Sequence, residues 1–257
     1  MKHFALKALP NTDGIIRLYG EDFHYLARVK RLKIGDSFDA ILPDGTKTTI
    51  RILSTVNKIL IGECQGLIQP SPIKEKIPPI ALFQGLPKGN KMDLIVRQAA
   101  EGGISLVRPF RSEYSSGTSS PEKLKRWEKI SREAMQQSGS VIITGIWPAS
   151  STEELIEYWE STKKQYERPC GIILHQEPLA KGSFHGYLDK DPDFAALAVG
   201  PEGGFSPNEL KLFMAAGFKP VLMGNTILRT ETAALYGCAA IRTILLEREN
   251  WTTSLKG

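Results

Sequence analysis

The stretch Phe194-Ala195-Ala196-Leu197-Ala198-Val199-Gly200-Pro201-Glu202-Gly203-Gly204-Phe205-Ser206-Pro207-Asn208-Glu209 runs from six apolar residues through a glycine-rich loop to a helix start. The apolar run reads as a buried strand. Ser206 is an N-cap, Pro207 occupies the first helical position and Glu209 completes a capping box. Leu210, Phe213 and Met214 supply an apolar stripe until Gly217. A glycine loop at the carboxyl end of a parallel strand is where open α/β sheets bind ligands, because absent side chains let a ligand reach the backbone. An isolated glycine cluster is more often no more than a tight turn. The spacing fits neither the dinucleotide fingerprint nor a Walker loop, whose last glycine precedes a lysine, so NAD and ATP are disfavoured.

Outward from this stretch, residues 80–83, 105–107, 171–174 and 220–223 also read as buried strands. Ser120-Pro121-Glu122 opens a helix on which Leu124, Trp127, Ile130 and Ala134 share a face, and Ser151-Thr152-Glu153-Glu154 opens another with a capping box. Strands alternating with capped helices imply a mostly parallel α/β sheet. After 220–223 comes Gly224-Asn225-Thr226-Ile227-Leu228-Arg229-Thr230-Glu231-Thr232-Ala233-Ala234, then a helix with Gly237, Ala239 and Ala240, whose small residues permit close packing. Arg229, set among apolar residues, requires a partner: a carboxylate such as Glu202 or Glu231, or an anionic substrate.

The amino-terminal part differs. Residues 37–42, 46–53 and 58–64 are short β-rich runs, with Asp44-Gly45 as a two-residue hairpin signal and 22–31 as the one helix. This predicts a small β-barrel. Pro70, Pro72, Pro78 and Pro79 interrupt the pattern, which gives a domain over 1–68, a linker over 69–79 and a second domain over 80–257.

The composition, 41% hydrophobic and 24% charged over 257 residues, supports a real core. Lys2 and Lys7 break any leader-like apolar start, and the longest apolar run, 194–199, is far short of a bilayer span. The expectation is a cytoplasmic protein with no membrane contact. Cys64, Cys170 and Cys238 are odd in number and widely spaced, so neither a disulfide framework nor a metal site is expected. The net charge of +5 fits a polyanionic partner. Basic residues concentrate at Arg28, Lys30, Arg31 and Lys33, and again at Lys88, Lys91, Arg97, Arg108, Arg111, Lys123, Lys125, Arg126, Lys129 and Arg132; any one such run reads first as a solvated helix face.

Residues 197–206 with Glu209, then Met223-Gly224 and 227–233, closely resemble the ribosomal small-subunit methyltransferase E family, the 16S rRNA uridine-N3 methyltransferases. Residues 88–93, 101–103, 109 with 112–113, and 24–36 are similar to the earlier blocks of that family, so the resemblance covers nearly the whole chain in order. Two stretches depart from it: Glu101-Gly102-Gly103 stands where the family usually has Glu-Leu-Gly, and Gln136-Gln137-Ser138-Gly139-Ser140 lacks the arginine that usually follows Glu-Gln-Ser.

The resemblance implies an α/β fold whose carboxyl-terminal SPOUT methyltransferase domain contains a trefoil knot, preceded by a PUA-like RNA-binding barrel. It implies S-adenosylmethionine bound by Leu174, His175, Val199, Gly200, Glu202, Gly203, Gly204, Met223, Gly224, Ile227, Leu228, Thr230, Thr232 and Ala233. With that reading, Arg229 is the candidate catalytic cation, Arg28, Lys30, Arg31, Lys33, Lys88 and Lys91 are candidate RNA contacts, and no metal is needed. The implied partners are 16S rRNA, within the assembled small subunit, and a second copy of the chain in a homodimer. Two other readings are a SPOUT enzyme that methylates a ribose 2′-hydroxyl or another base, and an RNA-binding assembly factor without catalysis; a full cofactor loop with Arg229 argues against the latter.

Overall fold

The structure is a computed structural model that describes residues 4–43, 46–68, 77–179 and 182–248. The chain divides into two compact units, Met1–Lys74 with Met135–Ile143, and Glu75–Ala134 with Thr144–Gly257. A single boundary at 69–79 would instead leave 135–143 in the second unit.

In the first unit, β1 (Phe4–Ala5), β2 (Ile15–Leu18), β3 (Ser37–Ile41), β4 (Lys47–Val56) and β5 (Ile59–Ile68) form a sheet in the order β1-β3-β4-β5-β2. β3, β4 and β5 pair antiparallel, with Ile41 opposite Lys47 at the first connection. The Asp44-Gly45 turn itself lies outside the described residues. Alternate residues of β4, Thr48, Ile50 and Ile52, point inward, the period-2 burial expected of a half-covered strand. Ile50 and Ile52 join Phe4, Leu6, Ile16, Leu18 and Leu60 in one core. The helix expected over 22–31 takes a different form: α1 (Gly20–Phe23) runs into a π-helical turn, His24–Val29, closed by an i→i+5 bond from Lys30 N to Tyr25 O of 2.8 Å. Arg31 then turns the chain with a φ of 56°.

The second unit is built on a seven-stranded parallel sheet of β6 (Ile80–Gly85), β7 (Leu106–Arg111), β8 (Gly145–Ile146), β9 (Ser150–Ser151), β10 (Pro169–Leu174), β11 (Phe194–Val199) and β12 (Lys219–Val221). The order is β12-β10-β11-β6-β7-β8, with β9 also paired to β7. The apolar run 194–199 is an interior strand, buried along its whole length. Its alternate residues serve opposite faces. Ala195, Leu197 and Val199 pack with Ile95, Val96 and Ala99 of α2 (Lys91–Glu101), Trp127 of α3 (Pro121–Ser138) and Ala234, Cys238 and Ile241 of α7 (Thr230–Arg248). Phe194, Ala196 and Ala198 pack with Leu155 and Trp159 of α4 (Thr152–Lys163) and Phe213 of α6 (Pro207–Ala215). A short α5 (Phe184–Leu188) precedes β11. Helices on both faces explain why the strands are continuously apolar.

The small residues of α7 matter at Gly237, where an added Cβ would stand 2.6 Å from Leu197 Cδ2. The helix therefore lies directly on β11. Ile241, Ile244 and Leu245 are absorbed into the core, whereas Leu235 and Tyr236 stay exposed. Cys170 and Cys238 are free and buried, and burial pushes the Cys238 thiol up to about 12. Among the described residues no helix is long and apolar enough to cross a membrane.

Candidate cofactor and substrate site

The carboxyl ends of β10, β11 and β12 point toward one cavity of about 300 Å³, at the small end of the roughly 300–1,000 Å³ usual for ligand pockets. Three segments line it: Leu174 to Gln176 after β10, Val199 to Phe205 after β11, and Leu222, Met223 and Thr226 to Thr230 after β12, with Ala233 from the first turn of α7. All the residues singled out for the cofactor therefore meet here, except Gly224 and Thr232. Pro201, Phe205, Gln176, Leu222 and Thr226 line it as well.

A buried hydrogen-bond relay fixes the loops that form the cavity. Thr230 Oγ1 donates to Gly200 O at 2.6 Å and accepts from Gln84 Nε2 at 2.9 Å. Gln84, 0% exposed at the end of β6, also donates to Gly85 O at 2.9 Å. Strand β6, the glycine loop and the start of α7 are thereby joined, although 146 residues separate Gln84 from Thr230. Gly200 and Gly85 allow the close approach this requires: a Cβ on Gly200 would lie 2.9 Å from Gly204 C, and one on Gly85 2.5 Å from Pro201 Cδ. Gly204 has a φ of 71°, accessible to glycine at little cost.

The far end of the loop hangs on Glu209. Both capping boxes expected from sequence are present, at Ser151 and Ser206, but Glu209 does more than cap. Its buried carboxylate accepts from Ser206 N (2.9 Å), Ser112 Oγ (2.9 Å), Glu113 N (3.0 Å) and Thr152 Oγ1 (2.8 Å). Four donors compensate the burial of the charge. One side chain thus ties the loop exit to the segment after β7 and to the start of α4.

Glu202 is engaged away from Arg229. It accepts from Lys88 N at 3.1 Å and pairs with Lys91 Nζ at 2.5 Å. Burial alone would raise its carboxyl, but the Lys91 hydrogen bond, the backbone N–H groups of Glu202 itself and Lys88, and the Lys91 charge outweigh it and hold the carboxyl below the usual glutamate range. Arg229 lines the cavity, is exposed, and has no side-chain hydrogen bond or ion pair among the described residues. Of the partners open to Arg229, Glu202 is thus taken by Lys91.

The remaining basic residues sort by environment. Arg28, Lys30, Arg31 and Lys33 are all exposed in the first unit, as is Lys88 in the second. Arg126 pairs with Asp93 at 2.5 Å. Arg108 is withdrawn from the surface set: its guanidinium lies 4.1 Å from the Tyr158 ring centre and 4.8 Å from that of Trp147, and burial lowers its pKa. No His, Cys, Asp or Glu cluster capable of holding a metal occurs among the described residues.

The donor set suits a ligand that is part apolar and part polar. Leu174, Val199, Leu222, Met223, Ile227, Leu228 and Ala233 offer apolar walls, while the backbone of 200–204 is bared by its glycines. Residues 74–242 match the RNA methyltransferase domain family and residues 18–61 the RNA methyltransferase PUA domain, which defines the class: an RNA methyltransferase domain with an appended PUA domain. The ribosomal RNA small subunit methyltransferase E of Synechocystis is 31% identical over 91% of this chain and 74% of its own length. The chain belongs to the ribosomal RNA small subunit methyltransferase E family. Its fold is shared with the family's Neisseria gonorrhoeae protein, whose structure is described as bound to S-adenosyl methionine (TM-score 0.78, 24% identity, 95% of this chain and 98% of that one). It is shared also with a probable rRNA methyltransferase from Porphyromonas gingivalis (TM-score 0.74, 25% identity, 96% and 100%).

Proposed function

We propose that this chain transfers the methyl group of S-adenosylmethionine to N3 of a specific uridine in 16S rRNA of the small ribosomal subunit, in the cytoplasm. The observation that carries the reading is the cavity at the carboxyl ends of β10, β11 and β12, glycine-floored, apolar-walled and flanked by Arg229, which is unpaired among the described residues. Family membership and the bound cofactor of the gonococcal relative support it. In this reading residues 80–257 form a SPOUT domain whose loops thread a trefoil knot, and residues 1–68 form a PUA-like RNA-binding barrel, joined through 69–79.

S-adenosylmethionine, when bound, supplies an electrophilic methyl. Leu174, His175, Val199, Gly200, Glu202, Gly203, Gly204, Met223, Gly224, Ile227, Leu228, Thr230, Thr232 and Ala233 hold and orient it. The imide N3–H of uridine is a weak acid, so transfer requires loss of that proton and stabilisation of the charge left on O2 or O4. Arg229, with no carboxylate partner among the described residues to neutralise it, lowers the nucleobase pKa and stabilises that charge. The rest is placement of N3 in line with the methyl. Arg28, Lys30, Arg31, Lys33 and Lys88 attract the RNA backbone; Lys91 contributes through its hold on Glu202. A homodimer would cover Leu235 and Tyr236 of α7, two-fold pairing being the commonest symmetric arrangement.

Incubation of the protein with methyl-labelled S-adenosylmethionine and small subunits lacking the modification tests the proposal. Label in 16S rRNA, and none without protein, is expected. Label confined to tRNA or large-subunit RNA would overturn it.

A further inference from the structure

Tyr114 is an exposed aromatic ring with a fixed backbone beside the cofactor loop. It is 46% exposed, and among the described residues its ring packs on no other aromatic and its hydroxyl makes no hydrogen bond. Its anchorage is firm. Ser115 N donates to Ser112 O at 2.9 Å and Ser112 N to Ser115 Oγ at 3.0 Å, which closes a turn with Tyr114 near its tip. The preceding residues, Ser112 and Glu113, donate to Glu209, the same carboxylate that holds Ser206 N at the loop exit. Tyr114 also lies against Gly203: a Cβ there would stand 2.8 Å from Tyr114 Cβ and 3.4 Å from Cγ. The ring is thus one backbone thickness from the cavity that Gly203 lines.

We infer that Tyr114 is a stacking platform for an unpaired base of the substrate RNA, the target uracil or its immediate neighbour. The inference rests on the methyl-transfer reading of the same site. A base presented to a cofactor must leave its stack, and proteins that read single-stranded RNA compensate with an aromatic face. An aromatic that served only as packing would be covered by the protein, and this one is open. Rigidity matters equally. Because Glu209 registers both the turn and the loop exit, a base on the Tyr114 ring is held at a fixed offset from whatever the loop binds, as in-line transfer requires.

The test compares Tyr114→Phe, Tyr114→Leu and Tyr114→Ala with the wild type, using small subunits lacking the modification as substrate. Stacking predicts that kcat/KM for the subunit falls about tenfold to a hundredfold in the Ala and Leu variants and by no more than about twofold in the Phe variant. S-adenosylmethionine affinity and the unfolding midpoint should be unchanged in all three. A Leu variant as active as Phe, or loss of cofactor affinity in step with activity, would make Tyr114 a packing residue and overturn the inference while leaving methyl transfer intact. A wild type that transfers no methyl to the subunit would remove the inference together with the function on which it rests.

Discussion

Thr230→Val probes the buried relay that joins the glycine loop to β6 and α7. The substitution preserves shape and removes a hydroxyl that donates to Gly200 O at 2.6 Å and accepts from Gln84 Nε2 at 2.9 Å. Gln84 Nε2 keeps Gly85 O at 2.9 Å, but Gly200 O is left with only the amide of Gln84 at 3.5 Å, too long to replace what was lost. A buried carbonyl stripped of its donor costs roughly 1–3 kcal/mol, so about 2 kcal/mol is expected. For a unit of this size that corresponds to a fall in melting temperature of roughly 4–8 °C. Thermal unfolding followed by circular dichroism measures it, and Thr230→Ser, which keeps the hydroxyl, should recover most of the loss. A Val variant that melts within about 1 °C of the wild type would refute the idea that this hydroxyl holds the loops together.

Gly200→Ala should lower S-adenosylmethionine affinity at least about tenfold, because the new Cβ meets Gly204 backbone at 2.9 Å and neither side can yield without moving the loop; unchanged affinity in titration calorimetry would remove the loop from the binding site. Arg229→Ala should slow methyl transfer on the order of 100-fold with cofactor affinity largely kept, and equal loss of both would make Arg229 a cofactor ligand. Glu202, whose folded carboxyl sits below the usual glutamate range, contributes stability that is present above that range and is lost as pH falls through the lowered value. The stability gap between the wild type and Glu202→Gln should therefore close on acidification, and a gap independent of pH would contradict the Lys91 pairing. Reversing the charges of Arg28 and Lys33 should weaken RNA binding and flatten its salt dependence; filter binding across a salt series that shows neither returns them to solvated surface.

The parts of the fold legible in the sequence are those marked by local chemistry. Ser206-Pro207 with Glu209, and Ser151 with Glu154, announce their helices because a cap is a contact three residues long. The run 194–199 announces a buried strand because both of its faces must be apolar. Helix α2 gave no such signal: Asn90 at its start makes no side-chain cap, and its buried residues are legible only as a stripe. The two-residue strands β1, β8 and β9 are too short for periodicity. Sheet order was also illegible, since β6 lies between β7 and β11, and its pairing with β11 joins residues 115 positions apart, as Ile80 with Ala195.

The site divides the same way. The glycine loop could be read locally and the segment through Thr230 only through the family resemblance, and most of both line one cavity. Gln84 could not, because its task is to reach residues 116 and 146 positions away. Nor could the pairing of Glu202 with Lys91 in place of Arg229, which depends on how the 88–91 segment meets the loop. That exchange matters for chemistry: it leaves Arg229 free among the described residues to face a substrate.

The identity of the reaction rests on which atom receives the methyl group. Small subunits from cells lacking this protein, treated with it and S-adenosylmethionine, can be digested to nucleosides and analysed by mass spectrometry against authentic standards. The expected product is 3-methyluridine at a single position of 16S rRNA, absent from untreated subunits and strongly reduced with Arg229→Ala; a 2′-O-methylated nucleoside, a methylated base other than uracil, or no new methyl group would contradict N3 methylation.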